Sequence, residues 1–149
     1  NHVVFGIPTE EATMPHSGSA TYSGLVFGIA NSTGGADDRF YELAGTLDLS
    51  LNFGAGTWSG SVLANGTDRN SGGTRNFGTF GIAPGTITGT SLNATGLTYG
   101  GSGTVGEAFG YFFGPQGVEV GGAFSADFAD PARSGYQLGI DGVFVSKRD

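Results

Sequence analysis

Hydrophobic and polar residues alternate along most of this chain with a period of two, most plainly in TLDLSLNF at residues 46–53. Leu47, Leu49, Leu51 and Phe53 share one face and Thr46, Asp48, Ser50 and Asn52 the other, the pattern of a strand with one side in a core. Helical stripes are nearly absent, because glycine, serine and threonine interrupt each window that could carry one. The alternation predicts eight strands, over residues 18–29, 41–53, 56–64, 74–83, 86–98, 102–113, 118–129 and 135–146. Turn signals stand between them: GAG at 54–56, APG at 83–85, YGGSG at 99–103 and GPQG at 114–117. Eight strands joined in order by short connections predict an all-β fold, a single antiparallel up-and-down barrel whose closure removes exposed edges.

Residues 1–17, NHVVFGIPTEEATMPHS, break the alternation and carry two prolines and the pair Glu10 and Glu11. They predict an extended lead-in that crosses the barrel, anchored by Val3, Val4, Phe5 and Ile7, with the barrel domain over 18–149. Glycines inside the strands, among them Gly60, Gly110 and Gly121, predict backbone covered by aromatic rings such as Trp58 and those at 109–113.

Composition narrows this picture. Thirty glycines in 149 residues without a G-X-Y period exclude collagen, and the recurring apolar runs favour a folded domain over disorder. Six Lys and Arg against 13 Asp and Glu give a net charge of −7, which argues against a nucleic-acid partner. Cysteine is absent, so disulfides and thiolate metal sites are excluded. No apolar run reaches the roughly 18 residues of a spanning helix, so the chain is not expected to span a membrane by one.

In a meander the connections alternate between the two ends. The connections after the first, third and seventh strands contain the long polar stretches NSTGGADDR at 31–39, NGTDRNSGGTR at 65–75 and DPARSG at 130–135. Four of the six cationic residues lie in them, and arginine offers a planar fork suited to carboxylates and protein interfaces. The candidate ligand-binding rim is therefore Asp37, Asp38, Arg39, Arg69, Arg75 and Arg133. Replacing Arg69 and Arg75 together is expected to weaken binding with little effect on melting temperature. Asp68 and Asp130 in the same loops dilute the positive charge.

No catalytic constellation emerges. Both histidines, His2 and His16, lie in the lead-in, so a serine–histidine–acid or histidine–metal site would have to draw on mobile, near-terminal groups. Of Asp48, Glu119, Asp127 and Asp141 most fall on outward strand faces, where solvated carboxylates are the rule, while Glu119, between Val118 and Val120, reads as an outward residue or a buried hydrogen-bonding one. GGADD at 34–38 lacks the spaced oxygen ligands of a calcium loop, so no metal site is expected. N-S-T, N-G-T and N-A-T at 31, 65 and 93 match glycosylation acceptors, which bears only on a eukaryotic secretory host. Haem is a possible cofactor, since Met14, His2, His16, Tyr41, Tyr99, Tyr111 and Tyr136 are side-chain types that ligate its iron.

GYFFGPQGVEVGG at 110–122 resembles the aromatic hairpin that marks the β-barrel domain of transferrin-binding protein B and related surface lipoproteins of Gram-negative bacteria. MPHSGSATYSG at 14–24, LDLSLNFGAGTWSG at 47–60, GGAFSADF at 121–128 and the final GVFVSKR at 142–148 follow that family's order. The resemblance implies a soluble eight-stranded barrel, tethered outside the outer membrane by an upstream lipid or secreted. It implies a non-enzymatic module that captures a protein partner or an iron source, as relatives that bind transferrin, lactoferrin, haemoglobin, haem or a complement regulator do. A haem-binding protein on the same barrel and a structural surface module are the alternative readings.

Overall fold

The computed structural model describes residues 4–100 and 103–149. His2, Val3 and part of the YGGSG turn lie outside the described residues. Eight antiparallel strands in chain order close into one barrel, β8 pairing back onto β1. They are β1 (Ser19–Thr33), β2 (Arg39–Asn52), β3 (Thr57–Asp68), β4 (Thr74–Thr88), β5 (Ser91–Tyr99), β6 (Thr104–Phe113), β7 (Glu119–Ala129) and β8 (Gln137–Arg148).

The period-two reading of β2 holds: Leu47, Leu49, Leu51 and Phe53 are buried and their polar neighbours face outward. Tyr22, Trp58, Phe77, Phe80, Phe112 and Phe144 are the largest fully buried side chains, so the interior is filled by aromatic rings. Asp48, Glu119, Asp127 and Asp141 all point outward and are exposed.

APG at 83–85 is not a turn. It lies within β4, in a stretch without pairing to β5 between Ile82↔Leu97 and Thr86↔Asn93. The ladder breaks there because Pro84 has no N–H to give and Trp58 crosses the backbone at Gly85. A Cβ at Gly85 would stand 2.5 Å from Trp58 Nε1, which donates instead to Asn93 O at 3.1 Å. The real reversal falls at residues 89–90, where Gly89 takes φ +58°.

β1 and β3 also run further than the loops allowed, to Thr33 and Asp68, so two of the long connections shrink to residues 34–38 and 69–73. Polar Asn31, Thr33, Asn65 and Thr67 are outward strand positions alternating with buried Ser32, Gly66 and Asp68. The ends still differ as expected, with connections 34–38, 69–73 and 130–136 at one end and the reversals near 54, 89 and 115 at the other.

The lead-in closes that second end. Its backbone is held by Thr9 N→Phe112 O at 3.1 Å, Gly114 N→Ile7 O at 2.9 Å and a bridge between Pro8 and Phe113. Met14 is buried beside Phe112 and Gly117. The expectation that Phe5 and Ile7 anchor the segment is overturned: they are 90% and 83% exposed. Backbone bonds fix the strap against the wall, and side-chain alternation turns Val4 inward and Phe5 and Ile7 outward. Opposite them Arg148 donates to Tyr22 Oη at 3.0 Å and Gln116 O at 2.9 Å, and Tyr22 donates to Gly117 O at 2.6 Å. Burial raises the Tyr22 phenol above its ordinary pKa, against the lowering pull of Arg148.

Candidate interaction site at the long-loop end

Asp130 opens the β7–β8 connection, and an Asp-Pro pair favours a turn in which the carboxylate takes the N–H two residues on. That bond is present, Ala132 N→Asp130 Oδ1 at 2.9 Å. The carboxylate faces the barrel mouth with no exposed side-chain surface, and Arg75 at the start of β4 meets it through two bonds of 2.6 and 3.0 Å. Ser32 at the end of β1 donates to the same group at 2.5 Å. Burial alone would raise the Asp130 pKa. The bonds from Arg75, Ser32 and Ala132 outweigh it and hold the group at about 2. Arg75 lies above its ordinary value, with Asp130 outweighing the lowering effect of burial, and its guanidinium sits 4.5 Å from the Phe77 ring centre.

A second arginine extends the cluster. Arg133 stacks on Tyr136 at 3.7 Å, donates to Ser32 Oγ at 2.9 Å, and bonds the main-chain carbonyl of Asp37 and its carboxylate. Asp37 Oδ2 also accepts from Arg39 at 2.9 Å, and the Asp37 N–H donates to Tyr136 Oη at 3.2 Å. Two loops and the ends of two strands are thereby fastened around one buried carboxylate.

The other rim positions act locally. Asp38 Oδ1 accepts from Gly34 N at 3.0 Å and from Gly35 N at 3.4 Å, which closes its own loop. Asp68 accepts from Asn70 N and Ser71 N, and those bonds lower its pKa. Arg69 stands apart on the β2 side, 3.5 Å from Glu42, both largely exposed.

The structure thus gathers Asp37, Arg39, Arg75 and Arg133 into one network, sets Asp38 beside it, and leaves Arg69 separate. Arg75 and Arg133 are 16% and 14% exposed at the side chain, so their hydrogen-bonding capacity is directed inward. Asp37, Arg39, Arg69 and Glu42 present charge to solvent. Sequence reasoning missed Asp130, Ser32 and Tyr136 as the fastening groups; the Asp-Pro turn was the available signal for Asp130.

Candidate haem ligands are dispersed. Met14 is buried at the lead-in end, Tyr41 packs edge-on against Phe77 near the opposite mouth, Tyr99 lies between Phe80 and Phe128, and Tyr111 is on the outer wall. Tyr136 lies under Arg133, and His16 borders a small cleft with Met14 and Phe53. Among the described residues no group of three or more His, Cys, Asp or Glu side chains is placed to hold a metal. Among them, too, no helix is long and apolar enough to cross a membrane.

A closed antiparallel barrel of eight strands defines the class of protein to which this chain belongs. The chain belongs to the C-lobe and N-lobe β-barrels of Tf-binding protein B, whose family model matches residues 14–148. Its fold is similar to a transferrin-binding protein B variant from Haemophilus parasuis Hp5, at 17% identity and TM-score 0.61, covering 95% of this chain and 29% of that one. It is likewise similar to a transferrin-binding protein B variant from Actinobacillus pleuropneumoniae H49, at 14% identity and TM-score 0.58, covering 97% and 66%. A structure described as a surface lipoprotein matches at 16% identity and TM-score 0.60, again over 97% and 66%. The chain spans less than a third of the first of these proteins. No curated protein matches the sequence.

Proposed function

We propose that this chain is a non-enzymatic binding module of the bacterial cell surface whose long-loop end holds a protein partner, with host iron carriers of the transferrin kind as the first class to test. Family membership supports the class of activity, and the names of the structural relatives supply the partner to try. The single observation that carries the site is the buried Asp130 clasp. It fixes the β1–β2 and β7–β8 loops before any partner arrives, so little ordering entropy remains to be lost on binding. The fixed loops, the start of β2 and the β3–β4 connection then display Asp37, Arg39, Glu42 and Arg69, a mixed-charge rim that selects a partner by complementarity.

The test is biolayer interferometry of the purified chain against iron-loaded transferrin, with the Arg39→Glu/Arg69→Glu variant alongside. Saturable binding that weakens at least about tenfold in the variant supports the reading. Binding of equal strength in both moves the site off this rim, and no binding by the unaltered chain removes transferrin as the partner.

A further inference from the structure

The pairing registers lay out the outer wall in rows. Phe109, Ala123, Val143 and Phe27 stand side by side across β6, β7, β8 and β1, and Tyr111, Gly121, Val145 and Leu25 form the next row. These two rows contain no charged residue, on a protein of net charge −7. Phe109, Tyr111, Leu25, Phe27 and Val145 are each 43–53% exposed, so the rows form a continuous apolar belt. The barrel is closed and its strands are paired all round, which leaves side-chain packing as the way to cover such a wall.

The belt has relief. Toward the tight-turn end the lead-in lies on it: a Cβ at Gly121 would come 2.3 Å from Val4 Cγ1, and Phe5 projects beyond. Toward the long-loop end the wall opens into a groove of about 560 Å³ lined by Phe109, Ala123, Val143 and Ile29, with the charged Arg69 and Asp141 also on it. The rows bounding the belt are charged, with Glu107 and Asp141 above it and Glu119 and Lys147 below. On β8, Asp141 and Lys147 stand three residues either side of Phe144.

We propose that this belt is the contact face of a homodimer. A two-fold axis lying in the wall and crossing the strands sets the lower half of β7 in one copy against the upper half of β7 in the other. Phe5 of each copy then enters the groove over Ala123 of its partner, and Lys147 of each faces Asp141 of the other. The contact is isologous and closes on itself, as two-fold interfaces do. Phe5, Ile7 and the five belt side chains expose on the order of 800 Å² of apolar surface, the area one partner contributes to a standard stable interface.

Sedimentation velocity over a range of concentrations tests this on the whole chain. The expected result is a species of twice the 15.0 kDa chain mass. Phe5→Asp raises the dissociation constant by about thirtyfold, the loss typical of an interface anchor. Lys147→Asp weakens the dimer and the exchange Asp141→Lys/Lys147→Asp restores it, which a purely structural defect would not do. Phe5 is 90% exposed, so circular dichroism and melting temperature stay unchanged in its variant. A chain that remains monomeric at every concentration, or a Phe5→Asp dimer of unaltered strength, overturns the proposal.

Discussion

Arg75 and Asp130, fifty-five residues apart in sequence, meet in a two-bond ion pair at the mouth of the barrel, with bonds of 2.6 and 3.0 Å and no exposed surface on the carboxylate side chain. Removing either partner strands the other as a buried charge, a loss of about 3 kcal/mol. Asp130→Ala and Arg75→Met should each lower the unfolding free energy obtained from urea titration by that amount, and the double variant should cost less than the two losses added. The pair also changes the expectation for replacing Arg69 and Arg75 together, which now includes a substantial drop in melting temperature.

Acid sensitivity follows from the same carboxylate. Its folded pKa of about 2 lies below the unfolded value of 3.8, so its stabilisation is complete above the unfolded value and is lost as pH falls through the folded one. The shift corresponds to about 2 kcal/mol, disappearing between about pH 4 and pH 2. Urea unfolding across that range should fall more steeply in the unaltered chain than in Asp130→Asn. Parallel curves would show that the clasp does not set this part of the acid response.

The exposed half of the rim should behave differently. Arg39 and Arg69 make ion pairs with largely exposed carboxylates, and solvent screening leaves such pairs little net stabilisation. Arg39→Glu/Arg69→Glu should therefore melt within a few degrees of the parent chain in differential scanning calorimetry. A large drop would mean that these side chains hold the loops as well as display charge.

At the crossing of β3 and β4, Gly85→Ala would place a methyl group 2.2 Å from Asn93 O and 2.5 Å from Trp58 Nε1, both less mobile than a side-chain tip. The expected cost is about 2 kcal/mol or more, as for other overpacked cores. Trp58 is the only tryptophan, so its fluorescence reports on the site directly. The variant should show a red-shifted native emission, and an unshifted spectrum with full stability would mean that the backbone yields there at little cost.

Much of the fold was legible because a half-buried strand writes its two faces into alternate residues, as in Leu47 to Phe53. The same rule explains the failures. Pro84 and Gly85 carry the residue types of a turn, yet they serve a bulge and an indole crossing, which only the partner Trp58 on another strand reveals. Asn31, Thr33, Asn65 and Thr67 looked like loop because outward strand positions near the barrel mouth are as polar as loops are. Phe5 and Ile7 looked like anchors because hydrophobicity does not say which side of a strap faces the wall. The location of the rim could be read from alternating connections. Its division into an inward clasp and an outward display could not, because that depends on Asp130 reaching Arg75 and Ser32 across the mouth.

Both described ends of the chain leave the barrel on the side away from the rim. Val4 lies against Gly121, and Asp149 N bonds Thr21 O at the start of β1. The strap and the loop cluster are thus set at opposite ends of one closed wall, so a partner can cover the rim without touching the backbone bonds that hold the strap.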